Sequence, residues 1–122
     1  MRSLWVAVGA LYCAIAIAAG AFGAHGLRGR LDASALALWE TAARYLMYAG
    51  LGLTVIGLAQ LHAPRSGFAL AAPLAAAGAL IFSGTVAALA LGGPRWLGAV
   101  TPIGGLALIL AFLAFAWSAL RG

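Results

Sequence analysis

The chain has 122 residues, of which 66% are hydrophobic and only 7% are charged, and its mean hydropathy is +1.10. This number of charged side chains is too small to form the polar surface of a water-soluble protein of this size. The composition therefore indicates a single membrane domain. The net charge of +5 comes from scattered arginines. Scattered arginines argue against nucleic acid as a partner and favour the lipid bilayer, including anionic lipids.

Four long apolar runs predict an all-α fold, an integral membrane four-helix bundle with antiparallel helices. The first run would measure about 28 Å as a helix, which exceeds the apolar part of a secretory signal, so we expect it to remain as a span. The predicted spans cover about residues 4–22, 39–61, 68–91 and 102–120.

The second helix is expected to start before its span. Asp32 or Ser34 can cap a helix that begins at Ala33. A helix over residues 33–61 would be about 43 Å long, more than the apolar thickness of a bilayer. We therefore predict an interfacial N-terminal extension of this helix, with Trp39 marking the membrane boundary.

Proline positions shape the expectations for the last two helices. Pro73 lies early in the third run and predicts a kink or a late helix start. Thr101 followed by Pro102 predicts the start of the fourth helix, with a capping hydroxyl and a proline at the first helical position.

One charged pair stands at the start of the second span and is the strongest candidate site. Glu40 and Arg44 are spaced i, i+4 with the acid first, which favours a helical ion pair, and Tyr48 continues the same face. His25 ends the first run and can reach the same region. Ionisable groups at this depth are costly and usually face protein or water. We therefore predict either a polar pocket formed by these four residues or a structural staple between two helices.

Small residues and hydroxyls mark candidate helix contacts, because close approach in lipid requires small side chains. No residue pattern indicates a catalytic site, a cofactor or a metal site, since the two histidines, His25 and His62, fall at opposite membrane faces. The candidate packing residues are Gly20, Gly23, Ser83, Gly84, Pro102, Gly104 and Gly105.

Four local strings together resemble a known family of small membrane proteins. The strings are Gly20-Ala21-Phe22-Gly23-Ala24-His25-Gly26-Leu27, Glu40-Thr41-Ala42-Ala43-Arg44-Tyr45-Leu46-Met47-Tyr48, Phe82-Ser83-Gly84 and Thr101-Pro102-Ile103-Gly104-Gly105-Leu106. In this order and spacing they resemble the domain-of-unknown-function 423 family, which is related to transmembrane protein 256. The resemblance implies four transmembrane helices and no established activity.

The chain departs from the family pattern at two places. Relatives often carry a histidine where this chain has Ala49, and a Ser-Leu-Tyr-like segment where it has Thr85-Val86-Ala87. These departures weaken any enzymatic or proton-relay interpretation for this chain. We therefore expect a protein that is not an enzyme.

Two function classes remain open. The first is a non-catalytic membrane component that acts in assembly, as a scaffold or through lipids, in the bacterial plasma membrane. The second is a small oligomeric transporter or channel that uses the polar pocket at Glu40 and Arg44. A homo-oligomer is expected because small-residue faces favour helix association.

The topology gives a first test. Four spans place both chain ends on one side, so reporter fusions at Arg2 and at Gly122 should report the same side. Fusions within residues 62–67 should agree with them, whereas fusions within residues 92–96 should report the other side. Opposite results from the two ends would contradict a four-span topology.

Overall fold

The computed structural model describes residues 4–121 as four α-helices joined by short connections. Every one of these helices is long and apolar enough to cross a membrane, which confirms the predicted all-α integral membrane bundle. The helices are α1 (Leu4–His25), α2 (Ala33–His62), α3 (Ser66–Ala90) and α4 (Leu97–Arg121).

The helices pack in the order of the chain. α2 packs against α1 and α3, and α3 packs against α4, whereas α1 and α4 make no contact within the described residues. Consecutive helices run antiparallel. Gly23 near the end of α1 meets Trp39 near the start of α2, and Gly67 at the start of α3 meets Ser118 near the end of α4. Between the central helices, Tyr45 in the first half of α2 contacts Phe82 in the second half of α3. The two central helices therefore carry most of the core, and the two outer helices flank them.

The core is made mostly of small side chains. Leu53 and Ile56 are the largest fully buried side chains in residues 4–121. Most of the other residues around them are alanines, which let helix backbones approach closely where lipid supplies no hydrophobic driving force. The alanines with no exposed surface are Ala71, Ala72, Ala75, Ala79 and Ala111.

α1 and α2 approach closely at glycines in the half of the pair that lies away from the α1–α2 connection, where α1 begins and α2 ends. A Cβ atom added at Gly9 would lie 2.7 Å from the carbonyl oxygen of Gly50. One added at Gly57 would lie 2.8 Å from the backbone nitrogen of Val6. Because backbone atoms cannot move aside as a side chain can, glycine is required at both contacts.

A similar contact joins α3 to α4. A Cβ atom added at Gly104 would overlap the backbone nitrogen of Phe82 and lie 2.8 Å from the carbonyl oxygen of Gly78. Further along the same interface, the hydroxyl oxygens of Thr85 and Thr101 lie 2.6 Å apart, so one of them donates to the other. This hydrogen bond joins the two helices inside an otherwise apolar contact.

The remaining packing candidates occupy different surroundings. Gly23 contacts Trp39, and Ser83 is buried. Gly105 makes only an ordinary contact with Phe82, at 3.5 Å for an added Cβ atom, and Pro102 is exposed. An added Cβ atom would meet nothing within 4 Å at Gly20 or at Gly84.

α2 begins at Ala33, the residue predicted from the sequence. Asp32 caps the helix, and its carboxylate accepts a hydrogen bond of 2.8 Å from the backbone N–H of Ala35. The helix then continues for 30 residues, Ala33–His62. At about 45 Å it exceeds the apolar thickness of a bilayer, as expected from the sequence.

The expected start of α4 needs correction, and so does one of the two alternatives predicted for Pro73. α4 begins at Leu97, so the predicted start at Thr101 and Pro102 is wrong. The Thr101 hydroxyl donates instead to the carbonyl oxygen of Leu97, one turn back in the same helix. α3 begins at Ser66 and carries Pro73 inside it, so a late start is wrong as well. A proline in the early turns of a membrane helix is tolerated where neighbouring groups satisfy the backbone.

Arg65 closes the bundle at the end opposite the α1–α2 connection. Its guanidinium donates a hydrogen bond of 2.6 Å to the carbonyl oxygen of Ser118, in the last turn of α4. The last carbonyls of a helix lack partners within the helix, and a cation is favoured there. The same guanidinium lies 5.2 Å from the ring centre of Phe68, which adds a cation–π contact.

Adjacent glycines of α4 give a matched stability test. Gly104→Ala should lower the free energy of unfolding by about 1–3 kcal/mol, because the new methyl group meets backbone atoms. Gly105→Ala should be neutral or stabilising by up to about 1 kcal/mol, because it gains helix propensity at an ordinary contact. Thermal unfolding in detergent measures both. Equal effects of the two changes would mean that Gly104 does not mark a close backbone contact.

Candidate functional site

A groove of about 440 Å³ lies on the outside of the α1–α2 pair. It brings together three of the four residues predicted for the polar pocket, namely Glu40, Arg44 and Tyr48. All three side chains are exposed. The other residues that line the groove are Ala16 and Gly20 from α1 and Ala43 and Met47 from α2.

The groove follows from helix periodicity and from small side chains. Residues four apart lie on the same helix face, which places Glu40, Arg44 and Tyr48 in one row along α2. Opposite this row, Gly20 leaves open space, since an added Cβ atom would meet nothing within 4 Å. Ala16 is buried and forms part of an apolar floor. α1 and α2 are in close contact at glycines near the start of α1 and the end of α2, and they leave a gap here.

The two charged side chains do not form the ion pair that their spacing predicts. No hydrogen bond or ion pair within residues 4–121 involves the side chain of Glu40 or Arg44. Both side chains are exposed at the groove, so packing does not hold one against the other. A carboxylate and a guanidinium are therefore both free to meet groups from outside the chain.

His25 does not join this site. It is the last residue of α1 and is exposed, and it does not line the groove. Gly20, the groove residue nearest to it in sequence, lies five positions earlier, about 7.5 Å along the helix axis. The polar part of the groove is therefore built from α2 alone.

Trp39 fastens the two helices beside the groove. Its indole N–H donates a hydrogen bond of 2.7 Å to the carbonyl oxygen of Ala19. Gly23 makes room for the ring, because an added Cβ atom would lie 2.6 Å from Trp39 Cδ1. Phe22 adds an edge-on contact with 6.2 Å between ring centres. The sequence indicated a membrane-boundary residue here, and it gave no sign that the ring joins two helices.

One aromatic ring, that of Tyr48, lines the deeper end of the groove and is packed against a further aromatic ring. Tyr48 packs edge-on against Tyr45, with 5.1 Å between ring centres, and Tyr45 packs against Phe82 of α3 at the same distance. Tyr48 is nevertheless 54% exposed. Its phenol is thus held by a neighbouring ring while one face remains open to a ligand.

A second, apolar cleft of about 220 Å³ lies where α1, α2 and α3 meet. Trp39, Ser83 and Gly84 are among the residues that line it. The Ser83 hydroxyl oxygen is buried and has no hydrogen-bond partner within residues 4–121. Deeper in the bundle than this cleft, the Tyr12 hydroxyl donates a buried hydrogen bond of 2.8 Å to the carbonyl oxygen of Ala76. This bond joins α1 to α3.

The groove presents a small set of polar groups. It offers one carboxylate, one guanidinium and one phenol above an apolar floor. The residues lining it include no serine, threonine, cysteine or histidine. Across residues 4–121, no three histidine, cysteine, aspartate or glutamate side chains come together to hold a metal ion.

Comparison with known proteins places the chain in a family. A family model described as protein of unknown function (DUF423) matches residues 19–105. A UPF0382 membrane protein of Staphylococcus epidermidis is 42% identical, over 97% of this chain and 96% of its own length. One from Staphylococcus haemolyticus is 41% identical, over 90% and 89%, and one from Bacillus subtilis is 35% identical, over 97% of both chains.

No solved structure matches the chain. The family match covers the two strings that meet at the groove, and the relatives are similar over nearly the whole sequence. The chain is therefore a membrane protein that belongs to the DUF423 family.

Proposed function

We propose that this protein is a non-catalytic, lipid-interacting component of the bacterial plasma membrane. The observation that carries the proposal is the position of the groove. Its charged residues line the outside of the α1–α2 pair, where the neighbouring molecules in a membrane are lipids. A groove with an apolar floor and exposed charges of both signs matches a lipid, which has an apolar body and a polar head.

The distribution of charge supports lipid binding over transport. Glu40 and Arg44 are the only charged residues inside the four apolar runs, and both lie within the first half of α2. The centre of the bundle is filled by Leu53, Ile56 and fully buried alanines. A transporter needs polar groups along a path through the membrane, and such groups usually line a water-filled cavity.

The same residues support a role without catalysis. Covalent catalysis needs a nucleophile beside a base, and acid–base catalysis needs groups aimed at a reacting atom. The groove instead presents exposed charges that make no hydrogen bond to each other or to a neighbour within residues 4–121. It has the character of a recognition surface.

The loop arginines extend the proposal to anionic lipids. Arg28 and Arg30 lie in the α1–α2 connection and are exposed, as is Arg95 in the α3–α4 connection. Arginines near a membrane surface attract anionic headgroups without a defined site. We assign them this diffuse attraction and assign the defined contact to the groove. A second copy of the chain is the alternative occupant of the groove, and the experiment below distinguishes it from a lipid.

Filling the groove tests the proposal directly. Gly20→Leu places a large side chain in open space, so the helices should still pack while the groove is occupied. Gly98→Leu is the matched control, because Gly98 also has nothing within 4 Å but lies on α4, away from the groove. In native mass spectrometry, Gly20→Leu should lose a lipid that wild type and Gly98→Leu retain.

Other outcomes have clear meanings. Equal lipid retention by all three proteins would contradict the proposal. A wild-type dimer that Gly20→Leu converts to a monomer, with lipid retention unchanged, would assign the groove to a second copy of the chain.

A thermodynamic cycle separates lipid binding from the structural staple. If Glu40 and Arg44 stabilised the fold as a pair, Glu40→Gln would cost more alone than together with Arg44→Gln. Because both side chains are exposed and unpaired, we expect a coupling below about 1 kcal/mol in lipid-free detergent. Thermal unfolding of the two single variants and the double variant measures it. A larger coupling would favour the staple.

A further inference from the structure

The two charges of the groove are arranged in order of depth. α2 begins at the membrane surface with the Asp32 cap, and Glu40 comes before Arg44 along it. Four residues separate the two along the helix axis by about 6 Å, so the carboxylate belongs to the outer position and the guanidinium to the inner one. Tyr48 follows one further turn down the same row.

Side-chain direction keeps this order near the surface. Helical side chains lean toward the N-terminus of their own helix, which for α2 is the membrane surface. The long arginine chain can keep its stem on the apolar floor while its guanidinium extends toward the headgroup region. Both charged groups therefore reach the level of lipid headgroups, with the acid above the base.

Two unpaired charges of opposite sign in one groove favour a ligand that carries both signs. Glu40 and Arg44 share the groove without neutralising each other. An anion alone would satisfy the guanidinium and would be repelled by the carboxylate one turn away. A cation alone would meet the opposite problem.

From this order we propose that the groove binds a phospholipid with a primary ammonium headgroup, of the phosphatidylethanolamine class; the inference rests on the proposed lipid-binding function. The ammonium is the outermost group of such a lipid and meets the Glu40 carboxylate. The phosphate lies below it and meets the Arg44 guanidinium, whose planar donors suit phosphate oxygens.

The remaining groove residues fit the rest of this lipid. Tyr48 holds an exposed phenol below Arg44, at the level where ester carbonyls can accept its hydrogen bond. Ala16, Ala43 and Met47 provide an apolar surface for the first part of an acyl chain, and Met adapts readily to irregular contacts. The groove therefore offers a partner to each successive part of the lipid.

The headgroup series gives the test on the unaltered protein. The purified protein in detergent is titrated with phosphatidylethanolamine, phosphatidylcholine and phosphatidylglycerol of identical acyl chains, and bound lipid is counted by native mass spectrometry. We expect phosphatidylethanolamine to bind about tenfold more tightly than the other two, because only it offers charged N–H donors to Glu40 and a phosphate to Arg44.

Variants then assign each half of the headgroup. Glu40→Gln should remove the preference for phosphatidylethanolamine over phosphatidylglycerol, and Glu40→Asp should keep part of it. Arg44→Gln should weaken both lipids. Arg121→Gln makes the same change in charge at an exposed position at the end of α4, away from the groove, and should leave the preference intact. Circular dichroism of each variant confirms that the helices are folded.

The outcomes separate this inference from the proposed function. A wild-type preference for phosphatidylglycerol that Arg44→Gln abolishes would overturn the headgroup assignment and retain lipid binding in the groove. Binding without headgroup preference that Gly20→Leu removes would do the same. Lipid binding that neither Gly20→Leu nor Arg44→Gln changes would overturn both.

Discussion

Close contact between small residues is the constraint on which this bundle depends. In a membrane, lipid tails are as apolar as the helix side chains, so helices associate through packing and hydrogen bonds and gain little from the hydrophobic effect. Gly9 and Gly50 supply such contacts between α1 and α2, and Gly78 and Gly104 supply them between α3 and α4. Hydrogen bonds such as that from Tyr12 to Ala76 help to fix the position of one helix against another, because alanine contacts alone differ little from one position to the next.

The groove exists because this close contact stops before the end of the α1–α2 pair. At one end glycines bring the backbones together, and at the other Trp39 bridges the helices through the carbonyl of Ala19. Between them, Gly20 faces open space beside the row that contains Glu40 and Arg44. The same residue type thus closes one part of the helix pair and opens another, and the difference is whether a neighbouring backbone occupies the space.

The sequence predicted the four helices and the start of α2, with Asp32 as one of two possible caps, because apolar runs and capping residues act locally. It identified Gly23 and Gly104 as packing glycines, which the structure places at close contacts, but it did not identify all of them. A helix surrounded by lipid is apolar on every side, so hydropathy does not reveal which face meets another helix. Gly9 and Gly78, which make close helix contacts, are therefore not among the predicted packing residues, whereas Gly20 is predicted at a helix contact and faces open space.

Other features depended on distant parts of the chain. The start of α4 was misplaced because Thr101 and Pro102 resemble a local start signal, whereas the helix extends back to Leu97. The direct Glu40–Arg44 pair was expected from spacing alone. Spacing places two side chains on one face, but the groove left by Gly20 determines what they can meet.

Occupation of the groove beside Gly20 by a lipid can be detected with a photo-crosslinking analogue of methionine at position 47, because Met47 lines the groove without filling it. The protein is expressed in a bacterial membrane, irradiated, and analysed by intact-mass spectrometry, with the same amino acid at position 98 as the control. We expect a phospholipid adduct at position 47, with the mass of phosphatidylethanolamine, well above that at position 98. Equal adducts at both positions, or crosslinks only to another protein chain, would contradict occupation of the groove by a lipid.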